Sequence, residues 1–300
     1  MADPGARWHV LGAGAIGTLL AHRLAEAGVE VVLLRRDGPA GPFRHRLRDA
    51  GGERERVFAA RPARDPGVVE RLLVTLKTPA LADAVAAIAP HVAATAPVVL
   101  LANGCGYGAA VAARLPGRTL ARGVTSDGAY RESATLTVHA GRGATALGIP
   151  ARRRAPPPWF SDSLGRPAQL RWLADIDTAL WRKLAVNCAV NGLCAVHGCR
   201  NGQLLARADL RRQLDALVAE IAAALRALGQ GRSAHGLGAR VQQVLTATAT
   251  NRSSMLEDVL AGRETEIESL NGYLCRRAAA VGLTLPRNQR LLARVRAASG

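Results

Sequence analysis

Residues 8–34 constrain the fold more than any other stretch of the chain. Trp8-His9-Val10-Leu11 reads as a short buried strand, and Gly12-Ala13-Gly14-Ala15-Ile16-Gly17 follows as a GxGxxG turn. Ile16, Leu19, Leu20, Leu24 and Ala27 then recur at helical spacing until Gly28, and residues 29–34 form a second apolar strand. GxGxxG alone is weak evidence. Between a strand and a helix, inside a unit of about 30 residues, it is a dinucleotide-binding fingerprint. Gly12 makes the tight turn, Gly14 lets the backbone approach a pyrophosphate, and Gly17 lets the helix pack on the strand. The helix N-terminus offers free N–H groups to phosphate. Gly12, Ala13, Gly14, Ala15, Ile16 and Gly17 are therefore candidate cofactor-binding residues. The competing reading is a glycine turn in an α/β fold that binds no ligand.

The end of the second strand selects the cofactor. An acidic residue there would hold a ribose 2′-hydroxyl, whereas this chain carries Arg35-Arg36. A guanidinium pairs with a 2′-phosphate in fork geometry, so the expected cofactor is NADPH/NADP+. The α/β alternation continues with a strand over residues 72–76, ending at Lys77-Thr78. A helix over 80–89 stops at Pro90, and a strand over 97–101 ends at Asn103-Gly104. Ligands of open parallel sheets bind at the carboxyl ends of strands, and Gly12, Arg35, Lys77 and Asn103 all fall at such ends. Alone, Lys77 could be a surface lysine and Asn103 a turn former. Residues 123–148 alternate between Gly-rich turns and β-branched residues and read as a closing hairpin region, with His139 structural.

The 300 residues suffice for two domains with real cores. No apolar run reaches the roughly 18 residues of a membrane span, and the short segment ahead of Trp8 does not read as a signal peptide. The five cysteines form no CxxC pair, which suits reduced thiols in a cytoplasm. Cys188, Cys194, His197 and Cys199 fit no zinc spacing, so no metal is expected. The formal charge of +17 raises the question of nucleic acid. The arginines are dispersed, however, no basic run exceeds Arg152-Arg153-Arg154, and aromatics for base stacking make up only 3%. A solvated Arg-rich surface is the better reading, and its positive field would draw small anionic substrates and phosphorylated cofactors.

The chain holds two lysines, Lys77 and Lys183, against 38 arginines. Lysine can shift its pKa and exchange a proton, whereas arginine stays charged at any usable pH, so both lysines are places to look for chemistry. After a charged, proline-rich loop over residues 152–158, the chain from Asp177 onward reads as helical. In residues 181–191, Lys183, Asn187 and Asn191 are spaced i, i+4, i+8. On a helix that makes one polar stripe about 12 Å long. Its neighbours are apolar, and a polar stripe on a buried helix calls for a polar ligand, because unpaired buried polar groups are costly. The alternative is a solvent-facing stripe. A second polar group follows at Asn251-Arg252-Ser253-Ser254, Thr265-Glu266 and Asn271-Gly272. On one straight helix Ser254 and Glu266 would stand roughly 18 Å apart. A turn at Gly262 would let both face one site.

These residues identify the chain as resembling the ketopantoate reductase (2-dehydropantoate 2-reductase) family over nearly its whole length. The likeness rests on GAGAIG, on LKT ending at Thr78, on ANG ending at Gly104, and on LWRKLAVNCAVN, NRSSMLEDV and TEIESLNG followed by Pro286. It implies an NADP-binding Rossmann-type domain over 1–173, then an all-α substrate and catalytic domain over 174–300. It also implies NADPH-dependent reduction of 2-dehydropantoate to (R)-pantoate in pantothenate biosynthesis. Carried over by motif, Lys183 would give the ketone oxygen its proton, while Asn187, Asn191 and Ser254 hold the substrate hydroxyl and carboxylate. Asn201 would lie at the substrate. Lys77 and Asn103 would contact cofactor and substrate, Ala129 would join the cofactor contacts, and Glu266 would serve both reacting centre and cofactor. Glu266 is expected to orient Lys183 and keep it charged. Two positions depart from the family pattern: Ala102, where Gln often precedes Asn-Gly, and Asp127, where many members have His. The alternative within enzymes is an NADPH-dependent reductase of another branched 2-oxo acid. A non-catalytic NADP sensor would have no use for Lys183, and a nucleic-acid binder would leave the polar stripe unexplained. The expected partner is the small 2-oxo acid, with no nucleic acid and no membrane, for a cytoplasmic monomer or homodimer.

Overall fold

The computed structural model of the chain describes residues 7–151, 155–165 and 168–299. The segment ahead of Arg7 and the basic run Arg152-Arg153-Arg154 within the proline-rich loop lie outside the described residues. The chain divides into two compact units. One comprises residues 1–102 and 107–176, the other residues 103–106 and 177–300.

The first unit is built on an 11-stranded mixed sheet. In chain order it runs β1 (Trp8–Leu11), α1 (Ala15–Glu26), β2 (Val31–Arg35), β3 (Gly41–Asp49), β4 (Gly52–Pro62), β5 (Arg71–Val74), α2 (Thr78–Ile88), β6 (Val98–Leu100), α3 (Tyr107–Arg114) and β7 (Leu120–Thr125). It then continues through β8 (Gly128–Ser133), β9 (Leu136–Gly141), β10 (Thr145–Gly148), α4 (Pro158–Ser163) and β11 (Arg171–Trp172). Strand order is β11-β10-β7-β6-β5-β1-β2-β4-β3-β9-β8. The β4-β2-β1-β5-β6-β7 block is parallel and has the 3-2-1-4-5-6 order of a dinucleotide-binding sheet, with its switch point between β1 and β5.

The central strands are apolar on both faces because helices cover both. Their side chains alternate between two cores. Trp8, Val10, Leu33, Leu73 and Val99 pack with Leu20 and Leu24 of α1, while Leu11, Val32, Leu34, Leu72, Val74 and Leu100 pack with Leu81, Val85 and Ile88 of α2. At the switch point three glycines do different work. Gly12 has φ +106. A Cβ on Gly17 would sit 2.1 Å from the Gly12 carbonyl oxygen and 2.5 Å from Thr75 Oγ1. A Cβ on Gly14, the N-cap of α1, would meet nothing within 4 Å.

The β3–β4 hairpin is absent from the sequence reading. Its outer face is an ion-pair ladder, Arg44–Glu55, Arg46–Glu53, Arg48–Glu53 and Arg48–Glu132, each pair worth little in water. Its inner face buries His45, Leu47, Phe58 and Ala60. There His22 of α1 and His45 of β3 are both fully buried, with Nε2 of one 3.1 Å from Nδ1 of the other. Burial pushes His22 down to about 3 and His45 down to about 4, so both are neutral at physiological pH.

Asp127 is a structural hub. It accepts from both terminal nitrogens of the Arg23 guanidinium (2.9 and 2.8 Å), from the Gly143 N–H (3.0 Å), and lies 2.9 Å from His139 Nε2. Burial alone would raise its pKa, but Arg23, the Gly143 N–H and His139 hold it well below the usual carboxylate range. The contact ties α1, which carries the glycine turn, to the β7–β10 region.

The second unit is helical: α5 (Ile176–His197), α6 (Gln203–Ala206), α7 (Ala208–Ala227), α8 (Gly231–Ala234), α9 (Leu237–Ala247), α10 (Ser254–Leu260), a π-helical turn (Glu268–Gly272), α11 (Tyr273–Ala279) and α12 (Pro286–Ser299). α7 shows why it folds. Leu210, Leu214, Leu217, Ile221 and Leu225 recur at helical spacing and are buried. Among the described residues, no helix is long and apolar enough to cross a membrane.

Two outcomes follow. Gly17→Ala, forced against backbone oxygen, should cost more than about 2 kcal/mol of unfolding free energy, read by denaturant titration. Below pH 6.5 the unfolded chain binds protons that His22 and His45 refuse in the folded state. Stability should therefore decline as pH falls from 6.5 toward 4, by up to about 1.4 kcal/mol per pH unit per histidine. His22→Gln should flatten that slope, and an unchanged slope would show that the pair does not set it.

Candidate active site

Within the first unit the cofactor candidates divide by accessibility. Gly12, Ala13, Gly14, Ala15 and Ile16 are half-buried along the turn and the first turn of α1, while Gly17 is buried beneath them. Arg35 is the last residue of β2 and is half-buried, and no hydrogen bond or ion pair to its guanidinium occurs among the described residues. Lys77 is exposed and is the N-cap residue of α2. Ala129 lies on β8, opposite His139 of β9. The open space at Gly14, the packed Gly17 and the uncommitted Arg35 fit a phosphorylated dinucleotide, whose pyrophosphate and 2′-phosphate need those three features.

Within the second unit Lys183, Asn187 and Asn191 share α5 and are all half-buried, while Leu184, Ala185, Cys188, Ala189 and Val190 between them are buried. Among the described residues, no hydrogen bond engages the side-chain amide of Asn187 or Asn191. Burial of the Lys183 ammonium pushes its pKa down from 10.5 to about 8, against the opposing pull of Glu266. Glu266 is buried and its Oε2 accepts from Asn103 Nδ2 at 2.9 Å. The structure thus brings Lys183, Glu266 and Asn103 together.

The local backbone explains how. α10 ends at Leu260, and Gly262 at φ +60 reverses the chain. Arg263 Nε donates to buried Asp258 (2.9 Å), and the Arg263 N–H donates to the Asp258 carbonyl (2.8 Å), fixing the turn ahead of Glu266. The π-helical turn follows, and Ser269 Oγ donates back to the Glu266 carbonyl (2.9 Å). The Asn103 loop docks there through the Cys105 N–H on the Ser269 carbonyl (3.1 Å). Gly104 has φ +79, and a Cβ on it would lie 2.4 Å from that same oxygen, so the contact requires glycine.

Ser253 and Ser254 separate into two roles. Ser253 is buried and caps α10, accepting from the Leu256 N–H (3.2 Å) and donating to the Asn191 carbonyl (3.3 Å). Ser254 is exposed at the first position of α10. Asn201 is buried, donates from Nδ2 to Thr248 Oγ1 (2.8 Å) and accepts from Cys194 Sγ (3.4 Å). Asn271, fully buried, donates to the Cys188 carbonyl (3.0 Å) and to Asn288 Oδ1 (2.9 Å), linking the π-helical turn to α5 and α12. Sequence reasoning placed Ser253 in the second polar group without giving it a role, and missed Asp258 and Ser269. The Ser-x-x pattern at an α10 start was the available signal for the first; the other two carried none. Burial raises the thiol pKa of Cys188, Cys194 and Cys199. No three His, Cys, Asp or Glu among the described residues are placed to hold a metal ion.

Comparison with known proteins agrees at both halves. Residues 8–152 match the family model "Ketopantoate reductase PanE/ApbA", and residues 175–299 match its C-terminal model. The chain is 34% identical to the 2-dehydropantoate 2-reductase of Salmonella typhimurium over 292 residues, covering 96% of this chain and 93% of that one. It is 31% identical to the enzyme of that name from Halobacterium salinarum, covering 92% and 93%. The structure of a PanE/ApbA family ketopantoate reductase from Ralstonia eutropha superposes with a TM-score of 0.86 at 24% identity, covering 98% of each chain. D-mandelate dehydrogenase, solved with NADH and anilino(oxo)acetate, shares the fold at a TM-score of 0.88 and 21% identity over 98% of each chain. Matched across both units by family models and by relatives above 30% identity, the chain belongs to the ketopantoate reductase family.

Proposed function

We propose that this chain reduces 2-dehydropantoate to (R)-pantoate with NADPH, and that Lys183 donates the proton. The observation that carries the reading is the Lys183 ammonium beside the buried Glu266 carboxylate, its pKa pushed down to about 8 by burial, on the helix that also presents two amides with no hydrogen bond among the described residues. NADPH, when bound, supplies the hydride to the ketone carbon. Negative charge then builds on the ketone oxygen. Nζ of Lys183 stabilises that charge and transfers a proton to it. A pKa near 8 leaves Lys183 mostly protonated at neutral pH and makes it a stronger acid than an ordinary lysine. Glu266 counters the burial penalty, and Asn103 keeps the carboxylate oriented.

Asn187 and Asn191 take the substrate hydroxyl and carboxylate, joined by Ser254. Asn201, whose amide is engaged with Thr248 and Cys194, contributes by fixing its turn next to α9 and α5. Gly12, Ala13, Gly14, Ala15, Ile16 and Gly17 cradle the pyrophosphate, Arg35 pairs with the 2′-phosphate, and Lys77, Asn103, Ala129 and Glu266 complete the cofactor contacts. The protein works in the cytoplasm, where its free cysteines stay reduced. Part of its arginine stands in surface ion pairs, such as Arg54 with Glu26 and Asp49, and Arg211 with Asp215.

NADPH oxidation with 2-dehydropantoate, against 2-oxoisovalerate and against NADH, tests the assignment. Selective turnover of 2-dehydropantoate with NADPH is expected; preference for 2-oxoisovalerate would move the enzyme to another branched 2-oxo acid. Lys183→Ala should lower kcat roughly 10²–10⁴-fold while NADPH still binds. Because protonated Lys183 is the acid, kcat/KM should fall as pH rises through about 8. Glu266→Gln removes the group that raises the Lys183 pKa and should move that limb to lower pH. A limb indifferent to Glu266→Gln would reject the pairing.

A further inference from the structure

Arg35 ends β2, where a Rossmann-type sheet receives the adenosine ribose. A long side chain with no partner ordinarily samples many rotamers, and freezing it on binding costs affinity. Arg35 is held in place although no hydrogen bond or ion pair to its guanidinium occurs among the described residues. Its Cζ lies 4.3 Å from the centroid of the Phe43 ring. The turn at Gly38, φ +104, also borders the guanidinium: a Cβ there would stand 3.1 Å from Nη1 and 3.3 Å from Cζ. Phe43 is itself fixed. It is half-buried, packs against the core that holds Leu33, Phe58 and Ala60, and pairs with Phe58 across the hairpin, whose β4 meets β2 with Pro62 opposite Arg35.

We propose that Phe43 is a positioning residue for recognition of the cofactor's 2′-phosphate, a role that rests on Arg35 being the group that binds it. A guanidinium engages an aromatic ring through its face and a phosphate through its N–H edge, so the two contacts do not compete. The ring keeps Arg35 pre-organised with that edge unspent. The β3–β4 hairpin thus becomes part of the selection of NADPH over NADH, and β2 does not make that choice alone. Gly38 belongs to the same device, since a Cβ there would crowd the guanidinium at 3.1–3.4 Å.

The test is equilibrium binding, by calorimetry, of 2′,5′-ADP, which carries the 2′-phosphate, and of 5′-AMP, which does not, alongside KM for NADPH and NADH. Phe43→Leu keeps apolar volume and removes the aromatic face. It should weaken 2′,5′-ADP by roughly two- to fivefold, leave 5′-AMP unchanged, and raise KM for NADPH without lowering kcat. Phe43→Tyr should restore the wild-type values. Equal weakening of both nucleotides, no weakening of either, or failure of Phe43→Tyr to rescue would overturn the proposal. Arg35→Ala separates the two layers. If it abolishes the preference for 2′,5′-ADP while Phe43→Leu has no effect, Arg35 keeps its role and Phe43 loses its own. If Arg35→Ala leaves the preference intact, both assignments fall.

Discussion

The candidate site depends on carrying one ammonium, that of Lys183, out of water. Desolvation disfavours the charged form, and it wins: the pKa drops to about 8 even with Glu266 pulling it up. Glu266 must then be buried as well, and removing one member of a buried charge pair strands the other at high cost. The surrounding structure is organised to prevent that. Asn103 donates to Glu266, Ser269 donates to its carbonyl, and the Asp258–Arg263 contact sets the turn that leads to it. Asn103 and Ser269 thus both engage Glu266, one at its carboxylate and one at its backbone, which is how a low-dielectric site holds a buried charge in place.

How much of this was legible depends on whether the signal is local. The β1–α1–β2 unit announces itself because three independent patterns coincide: a strand, the glycine spacing and a helical apolar period. The sheet order adds meaning that residues alone could not supply, since the switch point beside β1 arises from long-range pairing. The stripe of Lys183, Asn187 and Asn191 was equally legible, because i, i+4, i+8 is a property of any helix. The β3–β4 hairpin was not. Its Arg and Glu residues hide strand alternation behind charge, and the inward positions are marked by His45 and Leu47 rather than by a β-branched run. The grouping of Asn103 with the helical unit was also hidden, since it rests on Gly104 approaching the Ser269 carbonyl from more than 160 residues away in sequence. Ser253 and Ser254 are indistinguishable as letters; only the helix start at Ser254 makes one a cap.

Asp127 shows the same limit from the other side. As a departure from a family pattern it invites a functional reading, yet it accepts from Arg23 and Gly143 and contacts His139. Its work is to pin α1, whose N-terminus carries the glycine turn. A change at a motif position can therefore leave chemistry untouched and alter what supports it.

The scarcity of lysine has a physical meaning once Lys183 and Arg35 are set side by side. Arginine serves wherever charge and fork geometry suffice, which covers the surface ladder of β3–β4 and the end of β2, where a planar guanidinium can lie 4.3 Å from a ring centroid and still present its donors. It could not fill the role proposed for position 183, because no accessible shift would bring a guanidinium pKa near neutrality and so it could not give up a proton. Burial shifts an ammonium by a useful amount and leaves a guanidinium charged. In a chain that uses arginine almost everywhere, the lysine on α5 stands where the proposed reaction calls for a transferable proton.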